Sequence, residues 1–228
     1  MADACVHFDV PVVGGNVSLY NENNEGAIDP TPVVSMIGLI EKPNMVTRSR
    51  MPEPGMEIIL LGGLPHELGA SYHLQVEYGL KDGKVPEIDL DAEVRLQSFL
   101  LSEISAGRIS AAHDLAEGGL LVALVEMLFG EPLLGADLNF SDLGSTMRLD
   151  CLFFGESQGR VLVAVSTTDL ESLLIQAREK EVPAQRIGNS TNSSNLKVRV
   201  ESKEIFNADV SELQRSWEDA IPSRMKDN

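Results

Sequence analysis

Three short stretches carry the residues best suited to chemistry. The first is Pro11-Val-Val-Gly-Gly-Asn-Val-Ser-Leu-Tyr-Asn-Glu22, an apolar run that meets two glycines and then offers Asn16, Ser18, Asn21 and Glu22 in close succession. Glycine lets a backbone approach a ligand closely. Asn and Ser supply oxygen ligands of the kind magnesium takes beside phosphate. The stretch holds no lysine and its spacing departs from the P-loop, so a Walker site is excluded. A plain glycine-asparagine hairpin turn facing water accounts for the same string.

The second stretch, Ile109-Ser-Ala-Ala-His-Asp-Leu-Ala-Glu-Gly-Gly-Leu120, delivers His113 and Asp114 to the end of a small-residue strand, with Gly118-Gly119 opening a helix. Strand ends that meet helix N-termini are where α/β proteins hold anions. Asp114 could hold a magnesium ion that brings a phosphate in. The plainer alternative is that Asp114 or Glu117 caps the helix and His113 is a satisfied polar residue. The third stretch, Leu152-Phe-Phe-Gly-Glu-Ser-Gln-Gly-Arg-Val161, sets Glu156, Ser157 and Gln158 between two glycines. Such a turn could read a ribose, an amide or a phosphate, or it is a solvated hairpin with Arg160 pairing a nearby carboxylate.

Other chemistries find little support. His7, His66, His73 and His113 lack zinc spacing, and Ser71 beside Tyr72 has no base in a recognisable arrangement. Glu87, Asp89, Asp91 and Glu93 read as a helix N-terminus using its dipole. Cys5 and Cys151 both lie in apolar surroundings and read as two buried thiols of a reducing compartment, hence a cytoplasmic location. With 18 Lys+Arg against 35 Asp+Glu, the formal charge of −17 argues against nucleic acid and against an anionic membrane surface. No apolar run is long enough to span a bilayer, and the N-terminus has no basic region of a secretory signal.

Positioning these residues requires a scaffold, and the pattern predicts two unequal parts in 228 residues. In residues 1–54, Val10–Val13 and Val33–Ile40 read as strands around a polar stretch, and Arg48–Gly55 as a connector. That is too little to enclose a core. Residues 55–222 read as a complete layered α/β sandwich, with 223–228 as a tail. Its predicted elements are a strand at Glu57–Leu61, a helix over Asp91–Ala106 and a strand at Ile109–Ala112. A helix from Gly118 to Phe129 follows, then a buried strand at Val161–Val165 and a helix from a Thr168 cap to Lys180. Asn189–Asn195 reads as a polar loop before a last strand, Leu196–Val200.

Taken together, the three stretches, with Pro30-Thr-Pro32 between the first two, resemble the C-terminal part of the phosphoribosylformylglycinamidine synthase family. That family sits in the aminoimidazole ribonucleotide synthetase superfamily. The resemblance covers about Ala4 to Ile221. Gly15 to Glu22 is its most specific string, and Gly14 stands where the family usually has Ser. It implies that residues 1–54 are the end of a second N-type domain, partial and β-rich, and that residues 55–222 are the second C-type domain. The chain would then be a C-terminal fragment of the small bacterial type, without synthetase activity alone. A separate glutaminase subunit and a small accessory subunit would supply ammonia.

The resemblance further implies an ATP-dependent C–N ligase of purine biosynthesis, with ATP and magnesium as cofactors and a ribonucleotide substrate. Carried over, Gly15 contacts ATP, Asn16 ligates magnesium and Ser18 touches the ribonucleotide. His113, Asp114, Glu156, Ser157 and Gln158 are counterparts of first-half motifs and could serve a second nucleotide site. The family's catalytic histidines and phosphate-binding lysine have no counterpart here, so the upstream synthetase domains are needed partners. An unpaired edge in the partial domain invites a homodimer. A selenophosphate synthetase, a thiamine-phosphate kinase or a non-enzymatic assembly module remain alternatives. On the resemblance, magnesium at Asn16 and basic groups elsewhere would have to supply positive field around the phosphates in so acidic a chain.

Overall fold

The structure, a computed structural model, describes residues 1–141 and 147–226. It divides into two units, Met1–Val46 and Thr47–Asn228.

The first unit has little regular structure. Helix α1 spans Ala2–His7, and the two-residue strands β1 (Glu22–Asn23) and β2 (Gly26–Ala27) pair antiparallel. The strands expected at Val10–Val13 and Val33–Ile40 are absent, so this unit is not β-rich. Their side chains are bare, Val13 at 97% and Ile37 at 102% exposure. An apolar run becomes a strand only when a partner pairs its backbone and covers a face, and among the described residues nothing does. Cys5 is only half-buried, so of the two thiols expected to be buried, Cys151 alone is.

The second unit is built on a seven-stranded sheet. Its strands are β3 (Glu57–Leu61), β4 (Ile109–Asp114), β5 (Gly135–Phe140), β6 (Val161–Val165), β7 (Ala184–Thr191), β8 (Asn195–Val200) and β9 (Lys203–Asp209). Their spatial order is β4-β6-β3-β7-β5-β8-β9, antiparallel except for the β5–β8 pair. The helices are α2 (Tyr72–Tyr78), α3 (Leu90–Ser105), α4 (Gly119–Leu128), α5 (Leu149–Phe154), α6 (Leu170–Glu179), α7 (Val210–Glu218) and α8 (Ala220–Lys226).

Strand alternation sorts side chains between two cores. Ile58, Leu60, Leu162 and Ala164 join Leu120, Leu124 and Met127 of α4 and Leu152 of α5 on one face. Ile59, Leu61, Val163 and Val165 meet Leu96 and Phe99 of α3 and Leu173 and Ala177 of α6 on the other. Strand β6 and, beyond Glu57, strand β3 are therefore apolar at every position, as strands covered on both faces must be. The expected layered α/β sandwich is the observed architecture.

Several expectations need correction. The connector Arg48–Gly55 is instead sewn into the second unit: Met51 is fully buried, its N–H donates to the Met127 carbonyl, and Ala112 N–H donates to the Arg48 carbonyl. Asn189–Asn195 is not all loop, because β7 runs to Thr191, where Ser190 is buried and accepts from Met56 N–H. Leu196–Val200 is followed by another strand, β9, and by α7. The cap of α6 is Asp169, with Ser166 Oγ bonded to it, in place of Thr168. Residues 223–226, read as tail, belong to α8.

Candidate functional site

The antiparallel register of β4 and β6 brings the second and third stretches together. Asp114 at the end of β4 faces Val161 at the start of β6, and His113 faces Leu162. The turn at residues 155–160 therefore lies beside the residues that lead from β4 into α4, and Leu115 N–H donates to the Arg160 carbonyl. Gly119, with a φ of +68°, makes this close approach work: a Cβ there would sit 2.7 Å from the Gly155 carbonyl oxygen. Only glycine combines that torsion with that clearance.

Glu156 is the knot of the arrangement. Its Oε1 accepts from the N–H of Gly118, the cap of α4, and from that of Tyr72, the first residue of α2, both at 2.9 Å. The expected cap from Asp114 or Glu117 is absent: α4 is capped by a carboxylate from a different segment. A charged acceptor at a helix start satisfies an orphan donor and complements the dipole.

Arg160 is 3% exposed. Its Nε donates to the Ser157 carbonyl at 3.1 Å and its Nη2 to the Gly155 carbonyl, so the guanidinium braces its own turn. The carboxylate partner expected for it is not what it bonds, nor is the stretch a hairpin, since it joins α5 to β6. Burial pulls the Arg160 pKa down to about 10, with the Glu156 charge opposing that shift.

Asp114, Glu156, Gln158 and Arg160 line one cavity of about 450 Å³, together with Tyr72, Glu93 and Glu117. Ser157 instead lines an adjoining hollow of about 260 Å³, which Gln158 shares. His113 stands apart from both: its Nε2 meets Glu126 Oε2 at 3.0 Å and its Nδ1 the Asp114 carbonyl oxygen at 2.7 Å. Both ring nitrogens of His113 thus have partners within the fold. Glu93 and Arg160 were not singled out as site residues, because an acid in a helix's first turn and an arginine at a strand start both read as ordinary placements. The available signal was a charge set directly between Gly159 and a valine-rich buried strand.

Gly15, Asn16 and Ser18 lie in irregular, exposed backbone of the first unit, and nothing would obstruct a Cβ at Gly15. Among the described residues no three His, Cys, Asp or Glu side chains are grouped to hold a metal ion. Magnesium does not require such a cage: it keeps waters and takes one or two protein oxygens plus phosphate. The Asn16 carboxamide and the Asp114 carboxylate are donors of that kind. The largest hollow described, about 590 Å³ between α4, α5, β9 and α7, has apolar walls including Phe129, Phe206 and Trp217, and offers little polar chemistry. No helix among the described residues is long and apolar enough to cross a membrane.

A family model described as AIR synthase related protein, C-terminal domain, matches residues 53–201. The phosphoribosylformylglycinamidine synthase subunit PurL of Thermoanaerobacter sp. (strain X514) is 40% identical over 228 residues, all of this chain and 30% of its own length. The subunit of the same name from Moorella thermoacetica is 41% identical over 225 residues, 99% of this chain and 30% of its own. The chain thus spans about 30% of the length of these curated relatives. Among solved structures, T. maritima PurL complexed with FGAR matches with a TM-score of 0.66 at 22% identity, covering 75% of this chain and 30% of that one. T. maritima PurL complexed with ATP matches at 0.62 and 23% identity, covering 75% and 27%. At that identity the likeness is one of fold.

Proposed function

Because the chain belongs to the AIR synthase related protein family by its C-terminal-type domain, we propose that it forms part of an ATP-dependent C–N ligase of purine biosynthesis. The reaction is that of phosphoribosylformylglycinamidine synthase. ATP phosphorylates the amide oxygen of formylglycinamide ribonucleotide, and ammonia released from glutamine then displaces the phosphate. Formylglycinamidine ribonucleotide, ADP and phosphate result. The observation that carries this reading is the 40% identity to a named synthase subunit along all 228 residues, across both units.

Residues 1–54 are in this reading the end of a second N-type domain, and residues 55–222 a C-type domain. Gly15 leaves room for ATP to approach the backbone, Asn16 presents a carboxamide oxygen to magnesium, and the Ser18 hydroxyl bonds the ribonucleotide. Bound magnesium would supply positive field at the phosphates and hold them for in-line transfer. A chain of net charge −17 needs such a counter-charge. The cavity lined by Asp114, Glu156 and Gln158, with Ser157 beside it, is a second nucleotide site that orders the fold. His113 supports it by fixing the end of β4. The partners are further synthetase domains, a glutaminase subunit and a small accessory subunit, all in the cytoplasm, and a second copy of the chain is a further candidate.

A substrate panel tests the assignment. The full protein that carries this chain is given Mg·ATP with formylglycinamide ribonucleotide and ammonia, with thiamine monophosphate, or with selenide. ADP is expected only with the first. ADP formation with either of the others instead places the protein in a different branch of the superfamily.

A further inference from the structure

The cavity beside Glu156 contains two buried polar atoms whose bonding capacity is unspent. Arg160 Nη1 and Glu93 Oε2 have no hydrogen-bond partner among the described residues. Orphans of this kind cost free energy, and native proteins keep few of them. Both residues line the same cavity, and Glu93 Oε2 lies against the neighbour of Arg160 in the chain: a Cβ on Gly159 would be 2.8 Å from it. Each is also held in place by its other atoms. Arg160 is tied through Nε and Nη2 to the Ser157 and Gly155 carbonyls, and Glu93 Oε1 accepts from Gln97 Nε2 at 3.0 Å. One fixed cationic donor and one fixed anionic acceptor therefore belong to residues that line one cavity.

The surroundings select the chemistry of what fits. A free anion would meet Arg160 but also the carboxylates of Glu93, Asp114, Glu117 and Glu156, which oppose it. A simple cation would suit the acids and leave the Arg160 donor unmet. A hydroxyl both donates and accepts. Two on adjacent carbons would satisfy Glu93 and Arg160 at once while bringing no charge into the pocket.

We propose that this cavity binds the vicinal diol edge of a ribose ring, with Arg160 Nη1 donating to one hydroxyl and Glu93 Oε2 accepting from the other. This assignment rests on the reading of the cavity as a nucleotide site and names which part of the ligand it grips.

Calorimetric titration of the 228-residue chain with four probes tests it: adenosine, 2′,3′-dideoxyadenosine, Mg·ADP and inorganic phosphate. Adenosine is expected to bind at least about tenfold more tightly than its dideoxy analogue. Glu93→Gln and Arg160→Met should each erase most of that ratio. Thermal melts confirm folding, and Glu93→Gln carries the test if Arg160→Met unfolds. Equal affinity for adenosine and dideoxyadenosine, or binding of phosphate in preference to adenosine, overturns the diol assignment. If Mg·ADP binds with no preference between the two nucleosides, the nucleotide reading stands and the diol assignment falls. If none of the four binds, both fall.

Discussion

Replacing Glu156 with alanine is expected to lower the unfolding free energy by about 2–3 kcal/mol, and Glu156→Gln by about 1 kcal/mol. One carboxylate oxygen accepts two backbone N–H groups, from Gly118 and Tyr72. Truncation strands both donors and removes the negative charge that faces the start of α4. The Gly118 bond is partly buried and carries most of the loss, while the Tyr72 amide is exposed and can turn to water. Glutamine keeps an acceptor and gives up only the charge. Urea unfolding followed by the single tryptophan, Trp217, reads the difference. Amide exchange should quicken at Gly118 and Tyr72 in the alanine variant. Two variants within about 0.5 kcal/mol of the parent would remove Glu156 from this role.

Leu162→Ala is expected to cost more, about 3–4 kcal/mol. Leu162 has no exposed surface and packs in the core beneath α4 and α5. Its strand is paired on both sides, with Leu60 and His113 as its direct neighbours. Those ladders keep the sheet from collapsing into the hole, so the cavity term is paid nearly in full. The same register places Asp114 opposite Val161 and hence beside Arg160. Ligand affinity at the polar cavity should therefore fall along with stability. Leu101→Ala, at a position 62% exposed, is the control and should change stability by less than about 0.5 kcal/mol.

The parts of the fold legible in the sequence are those where one physical signal dominates. Glu57–Leu61 and Val161–Val165 are short apolar runs that only a sheet covered on both faces explains, and both form as read. The helix over Leu90–Ser105 follows from the acidic residues at its start, of which Asp89 is the cap, and from the spacing of Leu96, Leu100 and Ile104, all of which join the second core. Strand β9 was not legible because most of its residues are exposed and its pairing comes from β8, a tertiary fact that local pattern does not carry. The reverse error befell Val10–Val13 and Val33–Ile40. Their composition is that of strands, but strand formation needs a partner backbone, and none lies alongside them among the described residues.

The site was half legible. Asp114 was singled out at the end of a strand, and Glu156 and Gln158 between two glycines, and the β4–β6 register does bring all three to one cavity. Their division of labour was not visible: Glu156 turns out to cap a helix from a distance, and Arg160 to brace a turn through carbonyls. Both depend on which segments meet in space. Glu93 arrives from α3, more than sixty residues before Glu156, so no spacing rule could have joined it to the cavity.

The central proposal is that this chain lends Gly15 and Asn16 to a magnesium–nucleotide site of a formylglycinamide ribonucleotide ligase. The most direct measurement is ADP release by the full protein with formylglycinamide ribonucleotide, ammonia and Mg·ATP, comparing the parent with Asn16→Ala. The account predicts substrate-dependent ADP release by the parent and a loss of about a hundredfold or more in Asn16→Ala, the scale of removing a transition-state contact. Equal rates in the two proteins, or no ADP that depends on the ribonucleotide, would contradict it.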